Sequence, residues 1–123
     1  MIIGFRIRKW IFDLENRFQR FKNGYAYSDA WDTDSWYANY MPKLLRHMAD
    51  KGMGYPHGTT PEEWHDILYK MADLIEKAEY EVNDAWINDD GSIGDWQYHC
   101  KLGKKYKDEH FDMMKKWFFD LWD

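Results

Sequence analysis

The 123-residue chain carries 17 Lys and Arg against 22 Asp and Glu, a formal net charge of −5, which argues against the whole molecule being a nucleic-acid coat and leaves room for local patches alone; no sequence-specific nucleic-acid partner is expected. Aromatic residues make up 20% of it, as eight Trp, nine Tyr and seven Phe, enough apolar surface to exclude disorder and to support one helical domain over residues 1–123. With Cys100 as its single cysteine, an intramolecular disulfide is excluded and a reducing, cytoplasmic location is expected.

One valine and three threonines leave little material for strands, so helix is the expected state throughout. Ile3, Ile7, Trp10, Ile11, Leu14, Phe18 and Phe21 recur at steps of three and four, which places them on one face of a first helix that Asn23-Gly24 ends. The stretch from Tyr25 to Asp34 offers several side chains able to cap a second helix, whose stripe is Tyr37, Met41, Leu44 and Met48 and whose end is Gly52 or Gly54. Pro42 lies inside that stripe and crowds the carbonyl of Ala38, so a kink or a break into two helices is expected.

Thr59-Thr60-Pro61-Glu62-Glu63 is the clearest start signal: Thr60 as N-cap, Pro61 at the first helical position and Glu63 closing a capping box. The third helix carries Trp64, Ile67, Leu68, Met71, Ile75, Ala78, Val82 and then Ala85 or Trp86 on its buried face, long enough to be the spine of the fold. Asn88 to Gly94 is turn chemistry, and the residues up to Gly103 lack periodicity. Tyr106, His110, Phe111, Met114, Phe118, Leu121 and Trp122 mark a last amphipathic helix. The expected fold is mainly α: a compact bundle of about four helices with an irregular or short hairpin segment near residues 88–104.

Arg6, Arg8 and Lys9 interrupt the apolar opening before a signal-peptide core develops, and no apolar run approaches the roughly 20 residues that span a bilayer, so no stable membrane anchor is expected. Residues 1–24 nevertheless hold six Lys and Arg against two acids, a net charge of +4 that leaves −9 for the rest. A basic amphipathic helix with Trp10 and several Phe suits an anionic membrane surface, but a helix that needs a partner is expected first to dock its apolar face into a core.

Glu62-x-x-His65 has the spacing of a di-iron carboxylate motif, yet no second copy exists, so the pair reads as an N-terminal carboxylate and a surface histidine; a metal-dependent enzyme ranks third among the functional readings. Asp29, Asp32 and Asp34 serve helix caps and turns before they serve a cation. Placing Gly91 at the sixth position of a calcium loop puts Trp86 at the first ligand position, which excludes an EF-hand. No phosphate loop, nucleophile elbow or zinc spacing is present, and no cofactor is implied.

The candidate binding residues are Tyr25, Trp31, Asp34, Trp36, Tyr55, His57 and Trp64, an aromatic set drawn from loops and helix starts, with Arg17 and Arg20 as anion-binding neighbours. The bland alternative is that a domain poor in Leu and Val uses such rings as its core.

Arg20-Phe21-Lys22-Asn23-Gly24-Tyr25, Ser28-Asp29, Trp31, Asp34, Gly54-Tyr55-Pro56, Thr60-Pro61-Glu62-Glu63-Trp64 and the ending Trp117-Phe118-Phe119-Asp120-Leu121-Trp122 together resemble small helical proteins encoded by bacteriophages and prophages. The resemblance implies a setting in the cytoplasm of an infected host and no particular activity. The expected function is a non-enzymatic protein that occupies a host target, of a defence system among others, through an aromatic surface. Its alternative is a sponge for a small nucleotide immune signal. The surplus of aromatics also points towards a homo-oligomer.

Overall fold

The computed structural model describes residues 2–122, and of Ile2 and Ile3 the backbone alone. The place expected for the Ile3 side chain on the first stripe therefore lies outside the described residues. Four α-helices are described: α1 (Ile2–Asn23), α2 (Thr33–Lys51), α3 (Pro61–Asn83) and α4 (Trp96–Trp117), with 3-10 turns at Tyr27–Ala30 and Phe118–Asp120. No strand forms among the described residues beyond an isolated antiparallel bridge between Ile87 and Ile93. The chain divides into two compact units, residues 1–36 and 37–123.

In the first unit, α1 stops where Gly24 takes φ of 85° and returns its amide to the Arg20 carbonyl at 2.9 Å, a left-handed C-terminal turn that suits glycine. The following segment folds back as a 3-10 turn. Gln19 Oε1 accepts the Tyr27 amide at 2.7 Å, Ser28 Oγ donates to Asn16 Oδ1 at 3.1 Å, and Arg20 donates to Asp29 at 2.8 Å. Asp29 also accepts the Ala26 amide at 2.8 Å, so this carboxylate serves the turn itself. Ala26 and Asn16 are the buried points of this small unit.

The second unit is a bundle of α3, α4 and the greater part of α2. α2 runs through Pro42 as one helix instead of breaking in two. The residue whose carbonyl the ring crowds is Ala38, itself small and buried, and the Pro42 ring is fully buried, so apolar burial offsets the missing amide hydrogen bond. α3 starts as its sequence dictates, with Thr60 Oγ1 accepting the Glu63 amide at 3.1 Å and Pro61 in the first turn. The reciprocal bond from the Glu63 side chain is not formed among the described residues.

α3 is the spine. Trp64, Leu68, Met71, Ala72, Leu74, Ile75 and Ala78 are buried, which widens the expected stripe to Ala72 and Leu74 and shortens it at its end, where Val82 is exposed. Leu45 of α2 and Met114 of α4 join Trp64, Leu68, Met71 and Ala72 in one cluster, while Ala38, Ile75 and Ala78 form a second against Tyr37 and Tyr106. α4 lies antiparallel to α3: Trp117 meets Trp64 edge to face at 5.5 Å, His110 meets Met71, and His99 meets Glu81 at 2.5 Å. Near the far end Gly103 lets the helices approach so closely that a Cβ there would stand 2.6 Å from Val82 Cγ2 and 3.1 Å from the Ala78 carbonyl oxygen.

The irregular connection is shorter than the sequence suggests. α3 ends at Asn83, before Ala85 and Trp86, and α4 begins at Trp96 under an Asp95 cap that accepts the Tyr98 amide at 3.0 Å. Residues 96–104 are thus helical, a start that weak periodicity concealed and the Asp95 cap could have revealed. The connection itself is a tight turn in which Asp90 accepts the Ser92 amide at 2.9 Å and Gly91 takes φ of 84°.

Candidate functional site

The side chains singled out from sequence separate into different environments. Trp64 is 5% exposed and belongs to the core of the second unit, where Trp117 packs on it, so it takes no part in a surface. Tyr55 and His57 stand exposed in the link between α2 and α3, which turns at Gly58 with φ of 88°. Asp34 stands exposed in the first turn of α2, where a carboxylate stabilises the helix N-terminus without a ligand.

In the first unit, Tyr25 and Trp36 come together with Asp29, Ala30 and Thr33 around a cavity of about 230 Å³. Ligand pockets usually offer about 300–1,000 Å³. Arg20, the cation expected to meet an anion here, is engaged by Asp29, and that hydrogen bond holds the Asp29 carboxyl below its ordinary range. The cavity therefore presents an ionised carboxylate, which disfavours a phosphate. Trp31 is exposed and stacks on Phe12 with ring centroids 6.1 Å apart.

The Glu62-x-x-His65 pair is also drawn into local structure. His65 Nε2 lies 3.2 Å from Asp50 Oδ1, its ring stacks on Tyr69 at 4.5 Å, and the Tyr69 hydroxyl donates to Asp50 at 2.7 Å. That hydroxyl holds the Asp50 carboxyl below its ordinary range. Among the described residues no group of three or more His, Cys, Asp or Glu side chains converges as a metal site. His99 is occupied by Glu81, and the neighbouring Cys100 thiol is half-buried.

The largest feature is one for which sequence reasoning expected burial. Ile7, Trp10, Ile11, Leu14, Phe18 and Phe21 are each between 40% and 90% exposed. The cause is the side on which the first unit folds. At about 100° per residue, Phe12, Asn16 and Gln19 lie opposite the stripe, and they are the residues that meet Trp31, Ser28 and Tyr27. The chain after Gly24 thus folds onto α1 around Asn16 and Gln19, away from the stripe, and the stripe side chains stay exposed. Phe12, Asn16 and Gln19 at helical spacing are the sequence signal of this second face.

The stripe has charged borders. The same geometry sets Arg6 and Arg17 along one edge and Arg8 and Lys22 along the other, with Asp13 near the first and Glu15 near the second. Arg17, expected as an anion-binding residue, is exposed on that border. An aromatic strip with cationic edges can bury rings in an apolar phase while its cations face anions at the boundary. No helix among the described residues is long and apolar enough to cross a membrane. Comparison with protein-family models, curated proteins and solved structures finds no match to this chain.

Proposed function

We propose that this protein is a non-enzymatic binding protein that acts by occupying a macromolecular surface through the aromatic face of α1. In the phage setting implied by the sequence resemblance, that surface belongs to the host, and the protein works in the host cytoplasm. The observation that carries the reading is the exposure of Trp10, Phe18 and Phe21 on one helix, beside cationic borders. Contiguous exposed rings of this kind mark interaction sites, and Trp and Arg are the residues that most often anchor contacts. The nucleotide-sponge reading draws less support, because the cavity at Tyr25 and Trp36 is small and Arg20 is paired with Asp29.

The test places a photo-crosslinking phenylalanine analogue at Trp10 or Phe18, both on the stripe, and at exposed Lys104 of α4, in cells of a bacterial host. Discrete adducts, to protein or lipid, from positions 10 and 18 and none from 104 are the expected result. Equal labelling at all three positions, or none, contradicts it.

A further inference from the structure

The cavity walled by Tyr25, Asp29, Ala30, Thr33 and Trp36 refuses a phosphate for reasons that favour a cation. The first unit as a whole, with six Lys and Arg against five Asp and Glu, is close to neutral, so the sign at the cavity is set by its own surroundings. Residues 25–36 carry Asp29, Asp32 and Asp34 and no Lys or Arg, and the guanidinium of Arg20 offsets one of those three charges. The donors around Asp29 are already engaged. Arg20 donates to its Oδ1, the Ala26 amide to its Oδ2, and the Thr33 hydroxyl to its backbone carbonyl at 3.1 Å.

What the walls offer is two aromatic side chains, Tyr25 and Trp36, beside an ionised carboxylate. Ring quadrupoles attract a cation within about 6 Å of the ring centroid, Trp most strongly, and this attraction asks for no hydrogen bond. That separates the classes of ammonium. A primary ammonium brings three N–H donors, and walls that are mostly ring and methyl leave part of them unmet at a desolvation cost. A fully methylated ammonium brings none. Its size also agrees: a tetrahedral head of four methyl-sized groups, each close to a water molecule's share of about 30 Å³, fills about half of the cavity's 230 Å³.

The walls are set before a ligand arrives. Tyr25 stands between Gly24, whose amide returns to the Arg20 carbonyl, and the fully buried Ala26. The turn that carries Asp29 is tied to Asn16 and Gln19, and Trp36 lies in the first turn of α2 with its amide bonded to the Asp32 carbonyl at 3.0 Å. Such preorganisation lowers the ordering cost of binding. Tyr25 is 50% exposed, so a ligand enters without unfolding the unit.

We infer that this cavity is a second binding site, separate from the apolar face of α1, which takes the trimethylammonium head of a small ligand or of a methylated lysine side chain. Tyr25 and Trp36 hold the methyl groups, and Asp29 is the counter-ion.

The experiment is isothermal titration calorimetry of the full chain with three probes: choline, its uncharged carbon isostere dimethylbutanol, and acetylated trimethyllysine methylamide. Choline is expected to saturate with a millimolar dissociation constant, and the isostere, which fills the same volume without charge, to bind at least about tenfold more weakly. Tyr25→Leu, at a half-exposed position, is expected to weaken choline about fivefold with an unchanged circular dichroism spectrum. Tyr25→Phe keeps the ring and is expected to stay within about twofold of wild type. The tighter of choline and the lysine derivative assigns the source of the head, free ligand or side chain, and equal affinities mean that the head alone is read. An isostere as tight as choline reduces the cavity to an apolar hole and overturns the inference. So does choline binding that Tyr25→Leu leaves unchanged, or the absence of saturation by both methylated probes. None of these outcomes bears on the α1 face, whose crosslinks are read separately.

Discussion

His110 shows how one polar side chain is held inside the second unit. It is fully buried, and its two ring nitrogens meet the Met71 carbonyl and the Tyr37 hydroxyl, each at 2.7 Å. Nδ1–H donates to the carbonyl and Nε2 accepts from the hydroxyl, an arrangement that requires the neutral ring. Burial pushes the histidine pKa below 6.5 and the Tyr37 pKa up to about 12. The unfolded chain therefore takes up a proton near pH 6.5 that the folded chain refuses. Stability from this group is fully present above that value and is lost as pH falls towards the folded pKa. A urea-unfolding midpoint that declines below about pH 6.5, with the His110 ring resonance titrating below its ordinary range, is the expected result. A midpoint flat from pH 7 to 5 would contradict it. Tyr37→Phe removes the donor to Nε2 and should cost about 1 kcal/mol in the same measurement at pH 8.

Among the elements, the contact between α3 and α4 is set by what is missing at Gly103. Alanine would gain about 1 kcal/mol of helix propensity over glycine. Its Cβ would nevertheless stand 2.6 Å from a branched valine methyl and 3.1 Å from a backbone oxygen that has nowhere to move. Gly103→Ala should therefore destabilise the bundle by about 1–3 kcal/mol, read from chemical denaturation. Val82→Ala made together with it should recover part of the loss, because the closest clash is then gone. Thr60→Ala should cost about 1 kcal/mol through the lost cap on α3. The elements with a stated start and stop were legible beforehand: α1 ends at Asn23-Gly24, and α3 begins at Thr60-Pro61. The start of α4 was not, because its first residues Trp96, Gln97 and Tyr98 are exposed and the residue at its close approach to α3 is a glycine, so no apolar stripe marks the first turns. Pro42 was legible as an irregularity but not as a continuous helix, since that outcome depends on burial that no local pattern expresses.

At the scale of the whole molecule, the candidate site was visible as a pattern and misjudged as to side. The periodicity of Ile7 to Phe21 is what a core-facing helix and a surface-seeking helix have in common. What separates them is where the next segment packs, and that was written in Asn16, Gln19 and Asp29 as polar anchors and not in hydrophobicity. Trp64 shows the reverse error, an aromatic at a helix start that belongs to the core. The exposed rings of the stripe lie in a segment, residues 1–24, whose net charge is +4 against −9 for the rest.

Whether the α1 face is free is tested most directly by the stability of the folded chain. Equilibrium urea unfolding of the full chain carrying Trp10→Ser and Phe18→Ser, compared with wild type, should give free energies within about 0.5 kcal/mol of each other, as surface substitutions do. A loss of about 3–5 kcal/mol or more, the scale for deleting buried aromatic side chains, would mean that the rings are core and that α1 has no face to offer.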